Sequence, residues 1–187
     1  MKTELMMAAV MVVTLQARQV EFAEEKTVIV YFENSLAPKE EFLARDLADK
    51  MFATAGVRIV WSVGSPSAEK IAEEQPIVIR FASNTPASDH PGALAFAVPY
   101  EGVHIKIFYD RVRMGNPRAT QVVLAHVLVH EMTHILQGID RHSESGIMKA
   151  QWTTQDYTAM AWQPLSFTSD DIDLIHSGLA ARAVRKS

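Results

Sequence analysis

A chain of 187 residues, 48% hydrophobic and 21% charged, is long enough to bury a real core within one domain. Its 18 basic and 22 acidic residues give a formal charge of −4, with no basic run and no aromatic-basic interleaving, which argues against a nucleic-acid partner. Cysteine is absent, so disulfides, thiolate zinc ligands and a thiol nucleophile are excluded together, and no apolar run reaches the roughly 20 residues of a membrane span.

In chain order, Lys2 followed by the apolar run Leu5 to Leu15 reads as a secretory signal, with Ala17 as a cleavage position. Glu4 partly offsets Lys2, and Leu15-Gln16-Ala17 is a poor small-x-small site. The competing reading is an N-terminal helix or strand packed on the fold. Residues 1–18 are assigned to a signal peptide and 19–187 to a single domain, which implies a secreted or periplasmic protein.

Lys26 to Glu33 is rich in β-branched and aromatic residues and predicts a strand ended by Asn34-Ser35. Pro38 suits the first turn of a helix running to about Ala55, with Leu43, Leu47 and Met51 on one face and Gly56 as its stop. Strands are predicted at 57–63 and 76–82. A loop at 83–92 is followed by a short strand at 93–98, then an alternating one at 103–109. Asn116 can cap a helix with Pro117 at its first position and Gly138 at its end. Thr168 to Asp171 forms a capping box for a last helix bearing Ile172, Ile175 and Leu179. The order predicts an α/β (α+β) fold: a mixed, twisted sheet with a helix across one face and a C-terminal helix.

The chemistry sits in His130-Glu131-Met132-Thr133-His134. Residues four apart share a helix face, so both imidazoles can reach one zinc ion at the roughly 2.0–2.1 Å of a Zn–N bond. Glu131 then borders the metal without binding it and can act as general base toward water. Seven His and many Glu allow the pattern to arise by chance. The preceding run, Val122 to Val129, is apolar on nearly every face, however, and polar groups on such a buried helix are costly without a partner.

With these residues the chain resembles the metzincin metallopeptidases, matrixin-like members most of all. The resemblance rests on His130-Glu131-x-x-His134, Gly138, His142 and Met148 as the Met-turn, and Ala93 to Ala97 looks like the family's edge strand. It implies a sheet of about five strands, one catalytic zinc, a peptide or protein substrate lying along that edge strand, and zinc-dependent endopeptidase activity. The spacing departs from HExxHxxGxxH: Gly138 comes one place late, the eleventh position is Asp140, and His142 lies two beyond. Two third ligands therefore compete. His142 is favoured because zinc takes imidazole readily and because His142 to Met148 looks like the matrixin passage into the Met-turn. Asp140 is the alternative, as in members whose motif ends in Asp.

His126, one turn before His130, is read as a hydrogen-bonded or supporting histidine. His90 and His104 are read as ordinary loop and strand residues, because Phe96 stands where a second zinc site would need another His. His176 is read as surface. Asp156, Tyr157 and Trp162 lie in the segment that would wall the substrate pocket. Glu40-Glu41, Glu73-Glu74 and Asp170-Asp171 are read as solvated faces or helix starts. The rival function is a non-catalytic, zinc-stabilised protein-binding module, closed by Asp140 alongside three His. The oligomeric state stays open.

Overall fold

The structure, a computed structural model, describes residues 26–115 and 117–185. The predicted signal peptide and the cap expected at Asn116 lie outside them. Five strands, β1 (Lys26–Phe32), β2 (Val57–Val63), β3 (Ile77–Ala82), β4 (Ala95–Ala97) and β5 (His104–Phe108), form one sheet in the order β2-β1-β3-β5-β4. Neighbours pair in parallel except β4, which runs antiparallel to β5 at the edge. The mixed α/β architecture read from the sequence is therefore the one observed.

Helix α1 (Pro38–Ala53) makes the crossover from β1 to β2. Pro38 starts it, and Glu41 closes its open end by accepting from the Leu36 and Ala37 amides at 2.8 and 2.9 Å. Its buried face is the expected one only in part: Met51 is enclosed and Leu47 packs half-buried against the core, but Leu43 does not join them. Ala44, Ala48, Met51 and Phe52 are enclosed, while Leu43 is 43% exposed. The two alanines let α1 lie close against α4 (Thr120–Gln137), and small residues at that contact rotate the larger leucine outward.

Three seven-residue helices went unforeseen: α2 (Ala68–Glu74), α3 (Tyr109–Gly115) and α5 (Thr154–Met160). Helix α4 begins at Thr120 rather than Pro117, which sits in a preceding turn. It lies against the sheet, and Val123, Leu124, Val127 and Leu128 share one core with Val30, Ile77, Ile79 and Ile107. The last helix, α6 (Ser169–Arg185), packs Ile175 into that core and is opened by the expected box between Thr168 and Asp171. His176 is exposed, but its Nε2 lies 2.7 Å from the Ala55 carbonyl and ties α6 to the end of α1.

Candidate metal centre and its cleft

Helix α4 is buried along nearly its whole length, so any polar side chain on it must find a partner. Thr133 does so within the helix, donating to the Val129 carbonyl at 2.7 Å. His126 does so twice: its Nδ1 donates to the Val122 carbonyl at 2.7 Å, and its Nε2 accepts the Leu165 amide at 3.1 Å. It is the hydrogen-bonded histidine expected.

His130 and His134 are half-satisfied. The Nδ1 of His130 lies 2.9 Å from the Ile147 carbonyl, and that of His134 lies 3.3 Å from the Ile139 carbonyl. A carbonyl only accepts, so each Nδ1 carries the hydrogen and each Nε2 is left with a bare lone pair. Those two Nε2 atoms are 3.1 Å apart. Two ligands at a Zn–N distance of about 2.05 Å, spread at the tetrahedral angle, would be about 3.3 Å apart. The pair fits a cation between them and has no good arrangement without one.

The backbone that follows brings in the third imidazole. Gly138, at φ 69°, ends α4 in the left-handed conformation and turns the chain back over the helix. His142 then projects, exposed, with its ring centroid 4.9 Å from that of His134 and 5.3 Å from that of His130. The ligand atoms of His130, His134 and His142 all lie within 4.8 Å of one another, a group that can hold a metal ion. Asp140 is exposed on the rim and is not part of this group.

Asp171, fully buried at the start of α6, holds both neighbours of His142. Ser143 Oγ donates to it at 2.5 Å and Arg141 Nη1 at 3.1 Å. Burial pushes this carboxyl upward, but the hydrogen bonds from Ser143, Thr168 and Arg141 outweigh it and keep the pKa below the usual range. The loop closes beyond: Ser143 N–H donates to the Met148 carbonyl at 2.8 Å, Gly146 turns at φ 76°, and Met148 is fully buried.

Burial drives the His130 pKa down to about 4, with the neighbouring His134 and His142 adding to the shift. Burial and then His142 lower that of His134. Both are neutral at physiological pH, the form a metal requires. Glu131 behaves oppositely. Part of its surface opens to the cleft, yet protein crowds the carboxyl closely enough to push its pKa up to about 8, against the opposing Ala97 N–H and with Asp140 adding to the rise. A divalent cation beside it would reverse that shift.

These groups line a cleft of about 730 Å³ between β4 and the segment following Met148. Tyr157 is on its wall, as expected, whereas Trp162 is 88% exposed and takes no part. A further aromatic on the wall is Trp152, which the sequence did not single out. Its indole N–H reaches the same Ile147 carbonyl at 3.2 Å, and its ring stands perpendicular to His130 at 5.6 Å and His126 at 6.1 Å. Asp156 does not face substrate: it caps α5 and pairs with Lys149 at 2.5 Å. His90 stacks on Phe96 at 4.1 Å, and His104 pairs with Glu101.

No protein-family model matches the chain, and no curated protein does. Solved structures do. An archaemetzincin from Methanopyrus kandleri aligns over 86% of this chain and 99% of its own, with a TM-score of 0.55 and 12% identity. An archaemetzincin from Archaeoglobus fulgidus, complexed with malonate, aligns over 79% and 99%, with a TM-score of 0.52 and 14% identity. At such identities the likeness is one of fold.

Proposed function

We propose that this protein is a zinc-dependent endopeptidase in which His130, His134 and His142 hold one zinc ion and Glu131 is the general base. The observation that carries the reading is the convergence of unprotonated Nε2 atoms on one point, beside the half-buried Glu131 carboxyl, in a cleft bordered by a sheet edge. The chemistry a zinc ion supplies in such a place is Lewis acidity, which makes water nucleophilic at neutral pH and polarises the carbonyl under attack.

The chain's own groups do the rest. The Ile147 and Ile139 carbonyls fix the tautomers of His130 and His134, so neither ring can turn a hydrogen toward the metal. Glu131 takes a proton at its carboxylate and passes it to the leaving amine. Edge strand β4 pairs with the main chain of an extended peptide. With His130, His134 and His142 as the only protein ligands, a bound zinc would keep room for water, which distinguishes this reading from a closed, purely structural site.

The fold of the two archaemetzincins agrees with a metallopeptidase of metzincin type. The matrixin-like passage from His142 to Met148 is a reading of sequence spacing, and export from the cell is read from Lys2, the apolar run Leu5 to Leu15 and the cleavage position at Ala17. The test is zinc content and cleavage of a broad peptide library by the wild type and Glu131→Gln. One zinc in both, with cleavage by the wild type only, supports the reading. Zinc in both and cleavage by neither favours the binding module.

A further inference from the structure

Arg111, on α3, reaches into the loop that leads to β4 and takes four carbonyls. Its Nη1 donates to His90 and Ala93 at 2.7 and 2.9 Å, and its Nη2 to Pro86 and Asp89 at 2.9 and 2.7 Å. The guanidinium also lies 4.6 Å from the Phe108 ring centroid. Charge-assisted bonds from a planar fork fix direction as well as distance, so this side chain holds the carbonyls of residues 86–93 in place, with Lys106 Nζ holding the Asp89 carboxylate at 2.7 Å. Pro91, Gly92 and Ala93 continue directly into the rim of the cleft.

The register of β4 decides which rim groups face a substrate. Phe108 N–H donates to the Leu94 carbonyl and Val98 N–H to that of His104, while Phe96 stands opposite Lys106. Antiparallel alternation therefore turns the backbone of Leu94, Phe96 and Val98 toward β5, and that of Ala93, Ala95 and Ala97 away from it. Half of the outward groups of these three residues are engaged. Ala93 N–H donates to the His90 carbonyl and the Ala93 carbonyl accepts from Arg111. Ala97 N–H faces the Glu131 carboxyl, and Pro99 has no N–H. What remains is the N–H and carbonyl of Ala95 and the carbonyl of Ala97.

We infer that Arg111 is a positioning residue that ends the substrate-pairing edge at Ala95, so that the cleft takes a short extended stretch, about two to three residues, on the side of the scissile bond running past Ala95. This rests on the peptidase reading above. Longer peptides meet a closed edge on that side, because the next N–H, that of Ala93, is bonded to His90 and the guanidinium of Arg111 stands over the Ala93 carbonyl.

The test has two arms. The first is a nested peptide series around a fixed scissile bond, lengthened one residue at a time from either end, with the zinc-loaded protein. At one end kcat/KM is expected to stop rising after about three residues; a steady rise through five or more at both ends overturns the inference. The second arm is Arg111→Lys, which keeps the charge and loses the fork. KM is expected to rise about tenfold with kcat within about twofold and zinc affinity unchanged, and the Ala93 amide should exchange hydrogen faster. An unchanged KM, or unchanged exchange across 86–93, sinks it. Should the wild type cleave nothing, the peptidase reading fails by itself, while amide exchange still reports whether Arg111 caps the edge.

Discussion

The Nε2 atoms of His130 and His134 face each other at 3.1 Å with neither able to offer a hydrogen, because each Nδ1–H is committed to a backbone carbonyl. Two acceptors held at that distance repel, so zinc binding should stabilise this protein strongly. The third ligand separates the two sequence readings. His142→Ala should weaken zinc binding by about 100-fold or more, whereas Asp140→Ala should change it by less than about threefold, measured by competition with a chromogenic chelator. The reverse pattern would return the ligand role to Asp140.

The loop that presents His142 depends on a residue far along the chain. Asp171 accepts from Ser143 and Arg141 on either side of the imidazole, and its burial leaves no water to replace those bonds. Asp171→Ala should weaken zinc binding by about tenfold and also lower stability, since the same carboxylate accepts the Thr168 amide at the start of α6. Ser143→Ala removes one of these bonds while leaving the helix start intact, so a smaller loss of zinc affinity without a change in Tm isolates the effect on the ligand.

In the metal-free protein His130 and Glu131 offset each other between about pH 4.5 and 6.5, and the lowered pKa values of buried His126 and His134 tip the maximum to the upper end of that range, near pH 6.5. Folding lowers the His130 pKa from 6.5 to about 4, so its contribution is present above 6.5 and lost as pH falls toward 4. Folding raises the Glu131 pKa from 4.5 to about 8, so its contribution is present below 4.5 and lost as pH rises through 8. A divalent cation favours neutral imidazole and charged carboxylate together. With excess zinc, the fall in Tm between pH 6.5 and 8 should therefore disappear, and Glu131→Gln should abolish it even without metal. The same substitution should cost about 100-fold or more in kcat. An alkaline fall that survives both treatments would mean that Glu131 is not the group responsible.

Much of this arrangement was written in local pattern. The β-branched runs at Val28 to Val30 and Val57 to Val60 have nowhere to go but a sheet, and His130 and His134 share a face by helix geometry alone. The short helices were harder, because seven residues span too few turns for periodicity to show. One of them did carry a signal: Thr153 and Asp156 make the same capping box as Thr168 and Asp171, but no apolar stripe follows to draw notice. Trp152 was illegible for another reason. Its role is to share the Ile147 carbonyl with His130 and to pack on that ring, and both contacts depend on how the loop after α4 returns to the helix. Arg111 is the same case: nothing near it in sequence announces four carbonyls brought together by a loop some twenty residues earlier.

Gly178 also shows its purpose only in three dimensions. In sequence it is an unfavourable residue inside a helix, where Ala would be preferred by about 1 kcal/mol. In the fold, a Cβ placed there would lie 1.9 Å from the Leu136 carbonyl oxygen and 3.0 Å from the Gln137 Cα. These are backbone atoms of the last turn of α4, so no side-chain rotation relieves the clash. The two helices would have to separate, and the turn that must move is the one carrying His134. Gly178→Ala should therefore destabilise the protein by about 3 kcal/mol or more, despite the gain in helix propensity, and should weaken zinc binding. Gly115→Ala is the control: a Cβ there meets nothing within 4 Å, and its effect on Tm and on zinc affinity should be near zero. If Gly178→Ala matched that control, α6 would not press on the ligand helix as closely as the structure has it, and the position of His134 would have to be explained by the Ile139 carbonyl alone.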